Sequence, residues 1–281
     1  MKKTALWILI FALAAGGAYY IWQQNRQDAE PAVVEKQSLP LPEEPLEPAI
    51  KYPVPQPPVQ IDTQVVVPSE AEEEEEPLPL LNDSDHAMEE EFTRLFSQAL
   101  ADQPGLGKLF IFKKFIQRFV VTVDNMTATK LPRKYRLATP PPGSFSVNKN
   151  APDQETIAPA NYQRYTLYVN LVDAIDAKTL AAVYVRYYPL FQQAYEELGY
   201  PDQYFNDRLV EVVDHLLNTP DVREPVKLVR PSVYYKFADP ELEALSAGQK
   251  ILIRMGYDNE SRIKAKLREI RRELTSLALD L

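Results

Sequence analysis

The sequence predicts a mainly α fold: a single multi-helix domain of about seven to nine helices, with a long Pro-rich loop and room for one short β-hairpin. An N-terminal transmembrane helix and a disordered Pro-rich linker precede it. Three observations carry this reading. Apolar residues between Asp83 and Leu281 recur at three- and four-residue spacings. Gly and Pro punctuate that stretch where helices should stop. Twelve of the 25 prolines, and none of the eight glycines, fall within residues 23–82.

Ala5 to Trp22 form the first element, 18 positions without a charge. As a helix this run is about 27 Å long, enough for a hydrocarbon core of about 30 Å. Lys2 and Lys3 precede it, and Trp7, Tyr19, Tyr20 and Trp22 sit near its ends like an interfacial belt. Ala12, Ala14 and Ala15 also suit a cleaved signal peptide, but the apolar run continues past them to Trp22, which favours an uncleaved anchor. Positive charge before the span puts residue 1 in the cytoplasm. The span is therefore expected to cross once, with everything after Trp22 on the outer side of the membrane.

Residues 23–82 hold 13 acids against three bases, a net charge of −10, with Tyr52 as their sole aromatic. Such a segment cannot bury enough apolar surface to offset the entropy of ordering, so it is expected to be disordered. Proline and charge repulsion extend it to between about 45 Å as a coil and about 190 Å at full stretch. It reads first as a spacer. Its Tyr52-Pro-Val-Pro-Gln-Pro-Pro run also has the composition of a ligand for an aromatic groove.

From Asp83 onward the chain is nearly neutral, with a net charge of −1. Ser84 or Asp83 caps a first helix with Phe92, Leu95, Phe96 and Leu100 as its stripe, stopped by Pro104-Gly105. A second helix is expected over about 107–126, a third over 161–175 and a fourth over 177–198. Asp176 caps the fourth, Gly199 ends it, and Pro189 predicts a kink or break near Tyr188. A fifth covers 204–217. Residues 226–237 read as extended, and helices near 240–245, 247–255 and 260–279 follow. Tyr184, Tyr187, Tyr188 and Tyr195 fall at helical spacing and read as core or core rim.

Composition removes several function classes. No cysteine is present, and the two histidines, His86 and His215, leave little for a metal site. No cofactor is implied. A net charge of −9 argues against nucleic-acid binding by the whole chain. Three groups remain. Lys130, Arg133, Lys134 and Arg136 crowd the start of a connection from Thr127 to Pro159, and loops of that length are more often functional than short ones. They are candidates for an anionic partner, whether a phosphate head group, an envelope protein or glycan, an acidic peptide or the chain's own acidic linker, against the alternative of ordinary surface charge. Arg208, Glu211 and His215 share a flank of the fifth helix, as half of a metal or proton-relay site or simply an intrahelical ion pair. Asp207 and Asp214, one face apart by seven residues, read as a solvated acidic face, and would serve an envelope-polymer enzyme only if a cleft enclosed them. Ile263, Leu267, Ile270, Leu274 and Leu277 make a heptad seam, either docked on its own domain or joining a homodimer.

Several blocks of the domain resemble the bacterial domain-of-unknown-function family numbered 3014. They are Arg118–Asn125, Pro140–Phe145, Ala194–Pro201 with Phe205–Val210, Leu228–Val233, and Leu245–Lys250 with Arg254–Gly256. The resemblance covers most of residues 83–281. It implies a bacterial envelope protein, so that the expected single-pass anchor lies in the inner membrane and the C-terminal domain is periplasmic, and it supplies no activity and no catalytic residue.

Overall fold

The computed structural model describes residues 49–55, 77–97, 109–151, 154–223 and 225–277. The anchor expected at Ala5–Trp22 lies outside them. Among the described residues no helix is long and apolar enough to cross a membrane.

Eight α-helices and one four-stranded antiparallel sheet make up the described chain. In order they are α1 (Asp85–Leu95), α2 (Phe115–Asn125), β1 (Val147–Ala151), β2 (Gln154–Ile157), α3 (Pro159–Ala174), α4 (Ala177–Leu198), α5 (Phe205–Leu217), β3 (Lys227–Val229), β4 (Lys236–Phe237), α6 (Pro240–Ala244), α7 (Ala247–Met255) and α8 (Tyr257–Ser276).

The main core lies where α2, α4, α5 and α8 meet. Ile116, Val120, Phe191, Tyr195, Phe205 and Leu274 are all buried there. Its centre is aromatic: the Phe191 and Phe205 rings stack at 6.0 Å, and Phe119 meets both edge-on at 5.3 and 6.2 Å. Such pairs add about 0.5–1.5 kcal/mol each beyond the area they bury. Tyr184, Tyr187, Tyr188 and Tyr195 are buried as expected. Burial pushes the phenols of Tyr188 and Tyr195 up to about 12. They stay neutral, and their hydroxyls are used locally, Tyr188 donating to Gln192 at 3.1 Å and Tyr195 to Gln203 at 3.3 Å.

Several helices match the sequence closely, for stated reasons. Asp176 caps α4, accepting from the Thr179 N–H at 2.8 Å, and Gly199 closes it at φ 119°. Of the kink or break expected at Pro189, no break is found. Pro189 is exposed, so water can serve the carbonyl its ring leaves unpaired, while buried Tyr188, Leu190 and Phe191 hold the helix to the core.

Three expectations are corrected. Ser84 does not cap α1 with its side chain: it is fully buried and donates back to the Leu81 carbonyl at 2.8 Å. α2 begins at Phe115 rather than near 107. Lys114 is left-handed at φ 55°, and the Asp85 carboxylate of α1 accepts from the Lys114 and Phe115 amides at 2.7 and 3.0 Å. An acid from another helix thus supplies the missing cap. The apolar run before it is extended: Phe110 bridges to Ala138, and its ring joins Phe92, Phe96 and Phe112 in a second cluster. Third, the extended stretch 226–237 is half of a larger sheet. Its partner hairpin comes from the connection read as a long loop, in the order β1-β2-β3-β4. Ile157, Leu228 and Phe237 bury one sheet face against Ile253 of α7.

Two pieces of the segment read as a spacer lie on the domain. Leu81 is 3% exposed in the main core, and Val54 joins the same cluster. Residues 51–55 form a strap across α5. The Asp207 carboxylate accepts the Lys51 and Tyr52 amides at 3.0 and 2.8 Å, and the buried Asn206 amide donates to the Tyr52 carbonyl at 2.8 Å. The extended Pro-flanked run is thus read through its backbone, as such segments are in peptide grooves.

α8 closes the molecule with a buried ion cluster. Glu260 is 1% exposed and Lys264 4%. The Lys264 ammonium lies 2.8 Å from Glu260 and 2.7 Å from Asp221, and donates to the Thr219 carbonyl at 2.5 Å. At the N-terminus of α8, Gly256 is required: a Cβ there would stand 2.5 Å from the Tyr162 ring, and φ is +85°.

Burial raises the Glu260 carboxyl above its ordinary 4.5, while the hydrogen bond from Lys264 lowers that of Asp221. Folded Glu260 therefore binds more protons than unfolded, so its contribution to stability is lost as pH rises through its raised value. Asp221 contributes in the opposite sense, stabilising above its ordinary 3.8 and losing that as pH falls. Glu260→Gln is expected to flatten the decline in stability above pH 4.5 in urea titrations at a series of pH values. Lys264→Met, which strands Glu260, is expected to cost about 3–5 kcal/mol, and adding Glu260→Leu to recover most of it. For the strap, Asp207→Ala is expected to cost about 1–3 kcal/mol by urea unfolding and to expose Lys51 to trypsin; an unchanged midpoint and cleavage rate would contradict the docking.

Candidate binding surface

The connection after α2 is fastened by its backbone. Arg118 donates to the carbonyls of Lys113, Lys134 and Arg136 at 2.7, 2.6 and 3.3 Å, and Thr122, one turn on, donates to the Tyr135 carbonyl at 2.9 Å. Further along, Arg164 of α3 gathers the carbonyls of Pro141, Pro142 and Gly143 at 3.0, 2.8 and 2.9 Å. Asn161 accepts from the Ser146 amide at 2.9 Å and donates to the same residue's carbonyl. Guanidinium groups and amides from helices thus replace the ladder the loop lacks.

With the backbone held inward, the side chains of Lys130, Arg133, Lys134 and Arg136 are all exposed. Among the described residues, no carboxylate forms an ion pair with any of the four. Residues 133–135 form one 3-10 turn, and the Arg133 guanidinium sits over the Tyr234 ring at 5.6 Å. That contact joins the basic turn to the tip between β3 and β4. The tip carries Val233, Tyr234 and Val229, exposed by 76, 64 and 45%. Sequence reasoning found the four cations but missed Tyr234 and Val233, because the apposition of residues 133 and 234 depends on the sheet. It also missed Arg118, whose spacing to Thr122 was the available signal.

The other groups are brought into different arrangements. Arg208, Glu211 and His215 are not gathered into one site. Arg208 pairs with Glu211 at 3.0 Å and with Asp124 at 3.0 Å, and donates to the Asp124 carbonyl and the Thr127 hydroxyl at 2.7 and 2.9 Å. Burial opposes its charge, yet the two carboxylates hold its pKa above the ordinary value. His215 turns away to Ser246, Nε2 to Oγ 2.9 Å, where Ser246 caps α7. Asp207 holds the strap, and Asp214 pairs with Arg271 of α8. Each of these α5 acids is engaged in holding elements together. Among the described residues no group of three His, Asp or Glu side chains is placed to hold a metal. In the heptad seam, Leu274 is buried in the main core with Ile270 and Leu277 packed against it, while Ile263 and Leu267 are half-buried. The lower half of the seam is occupied by the chain's own domain.

The family model described as Protein of unknown function (DUF3014) matches residues 115–271, more than half of the chain. The chain belongs to this family. The DUF3014 match opens at the first residue of α2 and closes within α8, so it takes in the basic turn, both hairpins and the Arg118 and Arg164 fastenings. The strap at residues 51–55 and α1 lie before it. No curated protein and no solved structure matches the chain.

Proposed function

We propose that this DUF3014 chain is a single-pass cell-envelope protein whose helical domain is a binding or scaffolding module, held out from the inner membrane on a Pro-rich tether. The anchor rests on the uncharged run Ala5–Trp22, and the tether on the Pro-rich acidic composition of residues 23–82, less the pieces at residues 51–55 and Leu81 that lie on the domain. One observation carries the binding role: Lys130, Arg133, Lys134 and Arg136 present four cations that no carboxylate among the described residues pairs, on a turn whose backbone is fixed from behind by Arg118 and Thr122. A fixed array of unpaired charge on a near-neutral domain favours an anionic partner, because its ordering cost is met in the folded state before any partner arrives.

Reversing all four cations to Glu in the full chain is expected to reduce its retention by anionic envelope fractions at least about tenfold, with unfolding unchanged. Retention of the reversed protein at the original level would overturn the proposal.

A further inference from the structure

We infer that the ridge made by the 130–136 turn and the β3–β4 tip is a peripheral docking surface for anionic lipid headgroups; this rests on the reading of the chain as an anchored envelope protein. The described residues expose six large apolar side chains, and half of them, Val229, Val233 and Tyr234, lie at this one tip. Val229 is paired with Lys236 across β3–β4, so the two share the sheet face opposite buried Leu228 and Phe237. Arg230 is also exposed, its guanidinium over the Tyr235 ring at 5.3 Å, and Arg133 covers Tyr234. Neither Arg230 nor Lys236 has an ion-pair partner among the described residues. The acid this region does touch, Glu155, is taken by Lys149 at 3.6 Å and by the Tyr235 hydroxyl at 3.3 Å.

Among the described residues the ridge thus has two unmet demands, apolar surface in water and cations without counter-charge. An anionic bilayer interface meets both: aliphatic tips enter the headgroup boundary, tyrosine sits at headgroup level, and Lys and Arg face the phosphates. Other anions meet the demands less well. A soluble anionic polymer would neutralise the cations and leave the valines in water. The ten net negative charges of residues 23–82 oppose any general attraction to an anionic membrane, so the attachment must be local to this face.

The chain contains no cysteine, so Val233→Cys gives a single labelling position. The full chain, carrying an environment-sensitive fluorophore there, is reconstituted in phosphatidylcholine vesicles with and without phosphatidylglycerol. Phosphatidylglycerol is expected to shift the emission to the blue and to shield the label from acrylamide. A label at Leu198→Cys, at the end of α4, is expected not to respond. Adding Glu at positions 130, 133, 134 and 136 is expected to abolish the response, on the order of fivefold in partition per cation lost. The same label is then titrated with polyglutamate and with a soluble sulfated glycan. A response to either polymer without one to phosphatidylglycerol would overturn the lipid assignment and leave the anionic-partner reading standing. Silence towards all three would overturn both.

Discussion

Everything else in the structure depends on α2 working on both of its sides. Ile116, Phe119, Val120 and Val123 put its apolar side among Phe191, Tyr195 and Phe205, so the helix cannot rotate without opening the aromatic core. Arg118 and Thr122, four residues apart and therefore on one flank, take up backbone carbonyls of the basic turn. Packing on one side thereby becomes placement on the other. Hydrogen bonds from a charged guanidinium are stronger than neutral ones, so the turn has a defined shape with one 3-10 turn as its regular structure. Even the start of α2 is set from outside, by Asp85 of α1.

The same device recurs. Arg164 holds the proline triplet, Asn161 holds Ser146, Asn206 and Asp207 hold the strap, and Arg208 ties α5 to the end of α2. In each case a polar side chain on a helix satisfies the backbone, or the charge, of a segment distant in sequence. Asp207 and Asp214 of α5, which as a sequence pattern resemble acid/base equipment, are such ties. Asp207 already accepts two amides and Asp214 a guanidinium, so both oxygens of each carboxylate are occupied in fastening segments together.

What was legible in the sequence follows from these physics. α4, α5, α6 and α7 were readable because cap residues and apolar spacing are local: Asp176 and Gly199 bracket one helix, and Ser246 with Gln249 opens another. The start of α2 was not, since Leu109 to Phe112 look helical and are held extended by pairing with residues 137–139. β1 was invisible, because Val-Asn-Lys-Asn-Ala carries no alternating apolar signal and gains its place from Ile157 and Leu228 across the sheet. The strap was legible as a Pro-rich docking run, but its seat on α5 of the same chain was not, as proline and charge mask one buried valine at Val54. Of the candidate surface, the four cations were legible and their apolar neighbours were not, because the contact of Arg133 with Tyr234 joins residues 101 positions apart.

The basic turn is a placed surface rather than a charged coil. Arg118→Met tests this most directly, since it leaves all four exposed cations in the chain and removes only what positions them. Two readouts are needed: amide hydrogen exchange across the protein, and retention of the full chain by anionic envelope fractions. The predicted result is faster exchange confined to the turn after α2, unchanged protection of the α4 and α5 amides, and weakened retention. Retention at the original level, with the turn demonstrably loosened, would contradict the central claim.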